Sequence, residues 1–132
     1  CARGAYVAAE AEGRRDATIL ATGSEVALAL EARARLQDQG VRAAVVSMPC
    51  FELFERQDGA YRAAVLGTAP RVAVEAASPW GWTRYVASEA DVVGMRGFGA
   101  SGPCNALYAH FGITPEAVAA RVRAKLARRQ AA

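Results

Sequence analysis

Short runs of small and β-branched apolar residues, each followed by a stretch with helical spacing, set the rhythm of this chain. Thr18-Ile19-Leu20-Ala21-Thr22, Val41–Ser47, Arg71–Ala76 and Asp91–Met95 are apolar nearly throughout. Such runs predict strands buried on both faces of a sheet. A shorter strand candidate, Ala5–Ala9, comes first and is set apart by the polar Glu10–Asp16 turn. Gly23-Ser24 opens a helix in which Ser24 is the expected N-cap and Glu25 complements the positive end of the dipole. Val26, Ala29, Leu30 and Leu36 mark its expected inner face, and Gly40 stops it. Pro49 ends the next strand, and two short helical pieces are expected around Phe51–Arg56 and Asp58–Leu66. Further helices are predicted around Trp80–Ser88, Pro103–Phe111 and Pro115–Arg129. The last begins with a cap, a first-turn proline and an acidic residue in Thr114-Pro115-Glu116. Strands alternating with helices in this way predict a three-layer α/β/α domain with a mainly parallel sheet.

Length and composition narrow the class. At 132 residues with 53% apolar and 22% charged residues, the chain is expected to form a single domain, residues 1–132, with a real core. No apolar run approaches the roughly 18 residues of a membrane span, and no signal peptide is visible. Neither a membrane nor a nucleic acid is expected as a partner. Arg121, Arg123, Lys125, Arg128 and Arg129 crowd the last helix, but they lie opposite Val118, Val122 and Leu126. That spacing describes a solvated face near a helix C-terminus, where the dipole favours cations. Cys1, Cys50 and Cys104 show no C-x-x-C spacing, and an odd count argues against a disulfide framework, so a reducing cytoplasm is expected. A start at Cys1 rather than Met suggests a domain excised from a longer chain.

One string imitates a nucleotide site. Gly97-Phe98-Gly99-Ala100-Ser101-Gly102 is a literal G-x-G-x-x-G behind an apolar run. A dinucleotide fingerprint needs a second strand about twenty residues on that ends in an acid for the ribose. Helix-like sequence follows instead, and Pro103 removes one N–H that a phosphate would use. The string is therefore read as accidental.

In open parallel sheets, ligands bind beyond the carboxyl ends of the strands. There the sequence places Thr22-Gly23-Ser24-Glu25, Ser47-Met48, Glu75-Ala76-Ala77-Ser78 and Gly97–Ser101. These supply hydroxyls, glycines and two carboxylates, without histidine, lysine or a cysteine nucleophile. Thr22, Gly23 and Ser24 form a candidate weak anion site through backbone N–H groups at a helix start. The plainer role of these residues is a turn and a cap. Glu75 lacks a second acid, base or ligand, so packing or an interdomain hydrogen bond is its expected role. Trp80 and Trp82 are read as anchors of a helix or an interface. His110 is the one histidine, which excludes a multi-histidine metal site within one chain. Cys104 and His110 are six apart on one expected helix, too far round it to pair. No catalytic, cofactor-binding or metal-binding residue is assigned.

Taken together, the strings are more specific than any one of them. Ala21-Thr22-Gly23-Ser24-Glu25-Val26, Val46-Ser47-Met48-Pro49 and Leu53-Phe54-Glu55-x-Gln57 occur in order. Ala60-Tyr61-Arg62-x-x-Val65-Leu66, Arg71-Val72-Ala73-Val74-Glu75-Ala76 and Gly81-Trp82-x-x-Tyr85-Val86 follow. Phe98-Gly99-Ala100-Ser101-x-Pro103 then runs into Leu107-Tyr108-x-x-Phe111-Gly112-Ile113-Thr114. From about Gly4 to Leu126 the chain resembles the C-terminal domain of transketolase. Arg96-Gly97 and Gly102 depart from the family's usual pattern around Phe98–Ser101. The resemblance implies a five-stranded mixed sheet whose first strand is antiparallel to the rest. It also implies a homodimeric parent that moves two-carbon ketol units between sugar phosphates with thiamine diphosphate and Mg2+ or Ca2+. In that family the cofactor and metal belong to two preceding domains, which carry a Gly-Asp-Gly motif and several histidines. Asp58-Gly59 lacks the preceding glycine, so no catalytic position carries over and no cofactor is expected on this domain. The expected partners are the other domains of the same chain. Two other readings remain: a regulatory or anion-binding module, and the partner-docking domain of a related thiamine-dependent 2-oxoacid dehydrogenase. The Phe98–Pro103 and Phe111–Thr114 strings favour transketolase over the last.

Overall fold

The computed structural model describes residues 4–23, 25–75, 85–86, 92–94 and 114–131. In chain order the elements are β1 (Tyr6–Ala9), β2 (Ala17–Ala21), α1 (Glu25–Asp38), β3 (Ala43–Ser47), α2 (Phe51–Glu55) and α3 (Gly59–Leu66). After these come β4 (Arg71–Glu75), β5 (Val92–Gly94) and α4 (Pro115–Ala131). The strands form one sheet in the order β1-β3-β2-β4-β5. β1 runs antiparallel to β3, whereas the β2–β3, β2–β4 and β4–β5 pairs are parallel. The mixed five-stranded sheet with an antiparallel first strand is thus present as expected.

Period-two geometry explains why the strands are apolar on both sides. Ile19, Ala21, Val45, Val72, Val74 and Val93 point into one core with Ala29, Ala32 and Leu36 of α1 and Val118, Ala119 and Val122 of α4. Leu20, Val46, Ala73 and Val92 point the other way, against Met48, Phe54, Val65, Tyr85 and Val86. Neighbouring residues of one strand therefore serve opposite layers. At the edge, β1 pairs with β3 through an irregularity between Val7 and Ala9, a device that interrupts a free strand edge.

Helix boundaries follow local chemistry. Asp58 caps α3, its Oδ1 accepting the Tyr61 N–H at 2.7 Å. Thr114 caps α4 through the Ala117 N–H at 3.1 Å. Gly40, at φ +83°, ends the α1 turn in a conformation that disfavours a side chain. The inner face of α1 differs in part from the sequence expectation. Glu25, Ala29, Ala32 and Leu36 are buried at i, i+4, i+7 and i+11, while Leu30 is exposed. Leu30 lies one residue past Ala29, about 100° around the helix, which turns it toward solvent. The expected helices around Trp80–Ser88 and Pro103–Phe111 fall largely or wholly outside the described residues.

Candidate functional site

β2, β3, β4 and β5 end on one side of the sheet, since they run parallel. There the Met48 N–H donates to the Ala21 carbonyl at 2.8 Å and ties the end of β3 to the end of β2. Ser47 is buried at this edge. Gly23 turns the chain at φ +59°, in the left-handed region that its lack of a side chain permits. The turn is closed by its own carbonyls: the Glu25 N–H donates to Thr22 O and the Val26 N–H to Gly23 O, both at 3.2 Å.

Glu25 changes the character of this edge. Its side chain is buried at 6% exposure, and a Cβ on Gly23 would lie 3.6 Å from its carboxylate oxygen. A carboxylate of the chain itself therefore sits at the positive end of α1. The two amides that follow the candidate Thr22–Gly23–Ser24 anion site, those of Glu25 and Val26, are already engaged by its carbonyls, and Ser24, with its expected cap, lies outside the described residues. Glu75 ends β4, in register with Gly94 of β5. Its side chain, Ala76–Ser78, Trp80, Trp82, the Gly97–Gly102 string, Cys104 and His110 also lie outside the described residues.

This edge brings together the Thr22 and Ser47 hydroxyls and the Glu25 carboxylate. Among the described residues no group of three or more His, Cys, Asp or Glu side chains is placed to hold a metal ion. Such a donor set does not fit a divalent metal–diphosphate, which needs several oxygen ligands at once. Among the described residues it offers hydrogen-bonding and packing groups.

The other concentrated chemistry lies at the amino edge, in the segment read as a plain polar turn. Arg15 clamps Glu10 with two bonds, Nε to Oε1 at 2.7 Å and Nη2 to Oε2 at 2.9 Å. Its Nη1 donates to the Val65 carbonyl at 3.0 Å and approaches Thr18 Oγ1 at 3.4 Å. The Arg15 hydrogen bond, more than any other influence, holds the Glu10 carboxyl below its ordinary pKa. Asp16 is lowered too, first by the Arg42 backbone N–H at 2.9 Å and then by that residue's side chain. The mixed charges of Glu10, Arg14, Arg15 and Asp16 were the only trace of this network in the sequence.

A third group joins α2, α3 and the segment at residues 85–86. Tyr85 donates its hydroxyl to Glu55 Oε2 at 3.0 Å and meets Phe51 and Phe54 edge to face, with ring centroids 5.3 and 6.1 Å away. Tyr61 donates to the Ala5 carbonyl at 2.8 Å. Arg71 donates to the Tyr85 and Gly67 carbonyls, and burial lowers its pKa. These contacts fasten layers together.

A family model described as the transketolase-like TK C-terminal domain matches residues 4–114. A transketolase of Sinorhizobium medicae is 60% identical over 120 residues, covering 90% of this chain and 17% of the relative. A solved transketolase of Pichia stipitis superposes with TM-score 0.88 at 36% identity, over 98% of this chain and 19% of that one. A structure described as a split-gene transketolase in an inactive beta4 tetramer matches with TM-score 0.74 at 27% identity, over 96% of this chain and 43% of that one. The chain spans roughly a fifth of the length of the curated relatives it matches, 17% and 20% for two of them.

Proposed function

The chain belongs to the transketolase family as its C-terminal domain, and we propose that it acts within a longer enzyme as a structural and assembly domain. In this reading the parent transfers two-carbon ketol units between sugar phosphates. Thiamine diphosphate supplies the carbanion chemistry when bound, with a divalent metal at its diphosphate. Both are held by segments other than residues 1–132. The supporting observation is the donor set at the carboxyl edge: one buried carboxylate beside two hydroxyls, on a chain that covers about a fifth of its relatives. Assembly as a homodimer in the cytoplasm completes the proposal, and the exposed free thiol of Cys50 suits a reducing compartment. No helix among the described residues is long and apolar enough to cross a membrane.

The test divides the labour. A transketolase truncated before its C-terminal domain is mixed with the purified 132-residue chain, thiamine diphosphate and Mg2+. Co-elution on size exclusion and ketol transfer by the mixture, with none by the chain alone, is the expected result. Transfer by the chain alone would overturn the proposal, as would failure of the two parts to associate.

Any anion attracted to Thr22, Gly23 and Ser24 is proposed to bind only in the millimolar range. The Glu25 carboxylate competes for the same dipole end, and the next two amides, of Glu25 and Val26, are already bonded to the Thr22 and Gly23 carbonyls. Crystals grown in sulfate with only water at these amides would remove even that.

A further inference from the structure

At the opposite, amino edge of the sheet, the Glu10–Asp16 loop, the Gly67–Pro70 turn, Arg42 and Leu126 of α4 enclose a cleft of about 850 Å³. That volume suits a small molecule. Leu126 is the one large apolar side chain among the lining residues, whereas three guanidinium groups, from Arg14, Arg15 and Arg42, face two carboxylates, from Glu10 and Asp16. The lining therefore keeps one uncompensated positive charge.

The three arginines are held differently. Arg15 is 11% exposed, and its fork is occupied by Glu10 and the Val65 carbonyl, so it serves as a fixed wall. Asp16 Oδ2 already accepts the Arg42 backbone N–H at 2.9 Å. The Arg42 side chain touches the same carboxylate only at 3.4 Å from Nε and 3.4 Å from Nη2, and is 46% exposed. Its guanidinium can therefore turn toward a ligand without stripping Asp16 of its donor. Arg14 is exposed and has no hydrogen-bonded or ion-paired partner among the described residues, yet it lies near enough to lower the Asp16 pKa. Across the cleft, the exposed Thr68 offers a hydroxyl donor. Two available planar forks and a hydroxyl around a polar cleft match the tetrahedral oxygens of a phosphate group.

We propose that this amino-edge cleft binds the phosphate group of a small polar molecule, with Arg14 and Arg42 as its charged ligands and Thr68 as a neutral donor. The site is remote from the carboxyl edge and does not depend on the parent enzyme's activity.

The experiment titrates the 132-residue chain with inorganic phosphate at fixed ionic strength, following backbone 15N resonances by NMR. A second arm uses glycerol 3-phosphate. Saturable shifts at Arg14, Arg42 and Thr68 in either arm are expected. Tighter binding of the ester would show that the cleft also reads the organic body, and equal binding that the phosphate group alone is recognised. Arg14→Ala should weaken binding about tenfold, the scale of one charge-assisted hydrogen bond. Arg42→Lys, which keeps the charge but loses the fork, should weaken it as well. Arg56→Ala, an exposed arginine outside the cleft, should leave affinity unchanged. Shifts that never saturate, an unaltered Arg14→Ala, or an equal loss in Arg56→Ala would each overturn the site.

Discussion

Two glycines with the same backbone angle separate the sources of conformational constraint. Gly4 and Gly40 both sit at φ +83°. A Cβ on Gly4 would lie 2.3 Å from the Phe54 nitrogen and 2.4 Å from the Cys50 oxygen, both backbone atoms that cannot swing away. One on Gly40 would meet nothing within 4 Å. Gly40→Ala should cost about 1 kcal/mol, the ordinary penalty of a left-handed conformation. Gly4→Ala should cost more than about 2 kcal/mol, because the clash adds to the same penalty. Urea denaturation of the two variants checks the difference. Titration gives a second residue-scale test. Glu10 and Asp16 have folded-state pKa values below their ordinary 4.5 and 3.8. Depressed carboxylates contribute stability above the unfolded value and lose it as pH falls through the folded one. The urea midpoint should therefore fall between about pH 5 and pH 3, and Glu10→Gln should flatten that slope. The Glu10 side chain is largely exposed, so solvent screening keeps the effect small.

At the scale of elements, what the sequence revealed depended on how local the controlling physics was. Strand runs such as Ile19–Ala21 and Val72–Val74 were legible because burial on both faces leaves no polar alternation. The cap at Thr114 was readable because a single side chain bonds an amide three residues on, and Asp58, read only as the start of a helical piece, caps α3 in the same way. The inner face of α1 was only partly legible, since its phase is set by docking on the sheet and both leucines carry the same hydrophobic signal. Leu36 is fully buried and Leu30 is 39% exposed. Leu36→Ala should cost about 2–5 kcal/mol through the cavity it leaves. Leu30→Lys should change stability by no more than about 0.5 kcal/mol. Equal losses from thermal melts of both variants would mean that α1 docks in another phase. The Arg15–Glu10 clamp was legible only as a charged turn, because its third partner, the Val65 carbonyl, is fifty residues away and carries no side-chain signature.

For the whole molecule, the sheet is the element that both cores share among the described residues, and β2 lies at its centre, between β3 and β4. Ile19 of that strand packs into the α1–α4 layer, and its neighbour Leu20 into the α2–α3 layer. Exposing the β2 amides thus requires both layers to come away together. β1 lies at one edge, with a disrupted ladder and a partly exposed strand in which Tyr6 is 45% exposed. This asymmetry predicts a graded pattern of hydrogen exchange. Amides of Ile19, Leu20, Val45 and Val46 should exchange only through global unfolding, with opening free energies equal to the value from urea denaturation. Amides of β1 should exchange through smaller openings that do not respond to low urea. Adding a binding partner on the β1 side should slow exchange in β1 and leave β2 at the global limit. Truncated transketolase supplies that partner, because in the proposed enzyme the preceding domains enter through the segment leading into β1. If β1 already exchanges at the global limit in the isolated chain, the edge is as cooperative as the centre and docking has nothing to order.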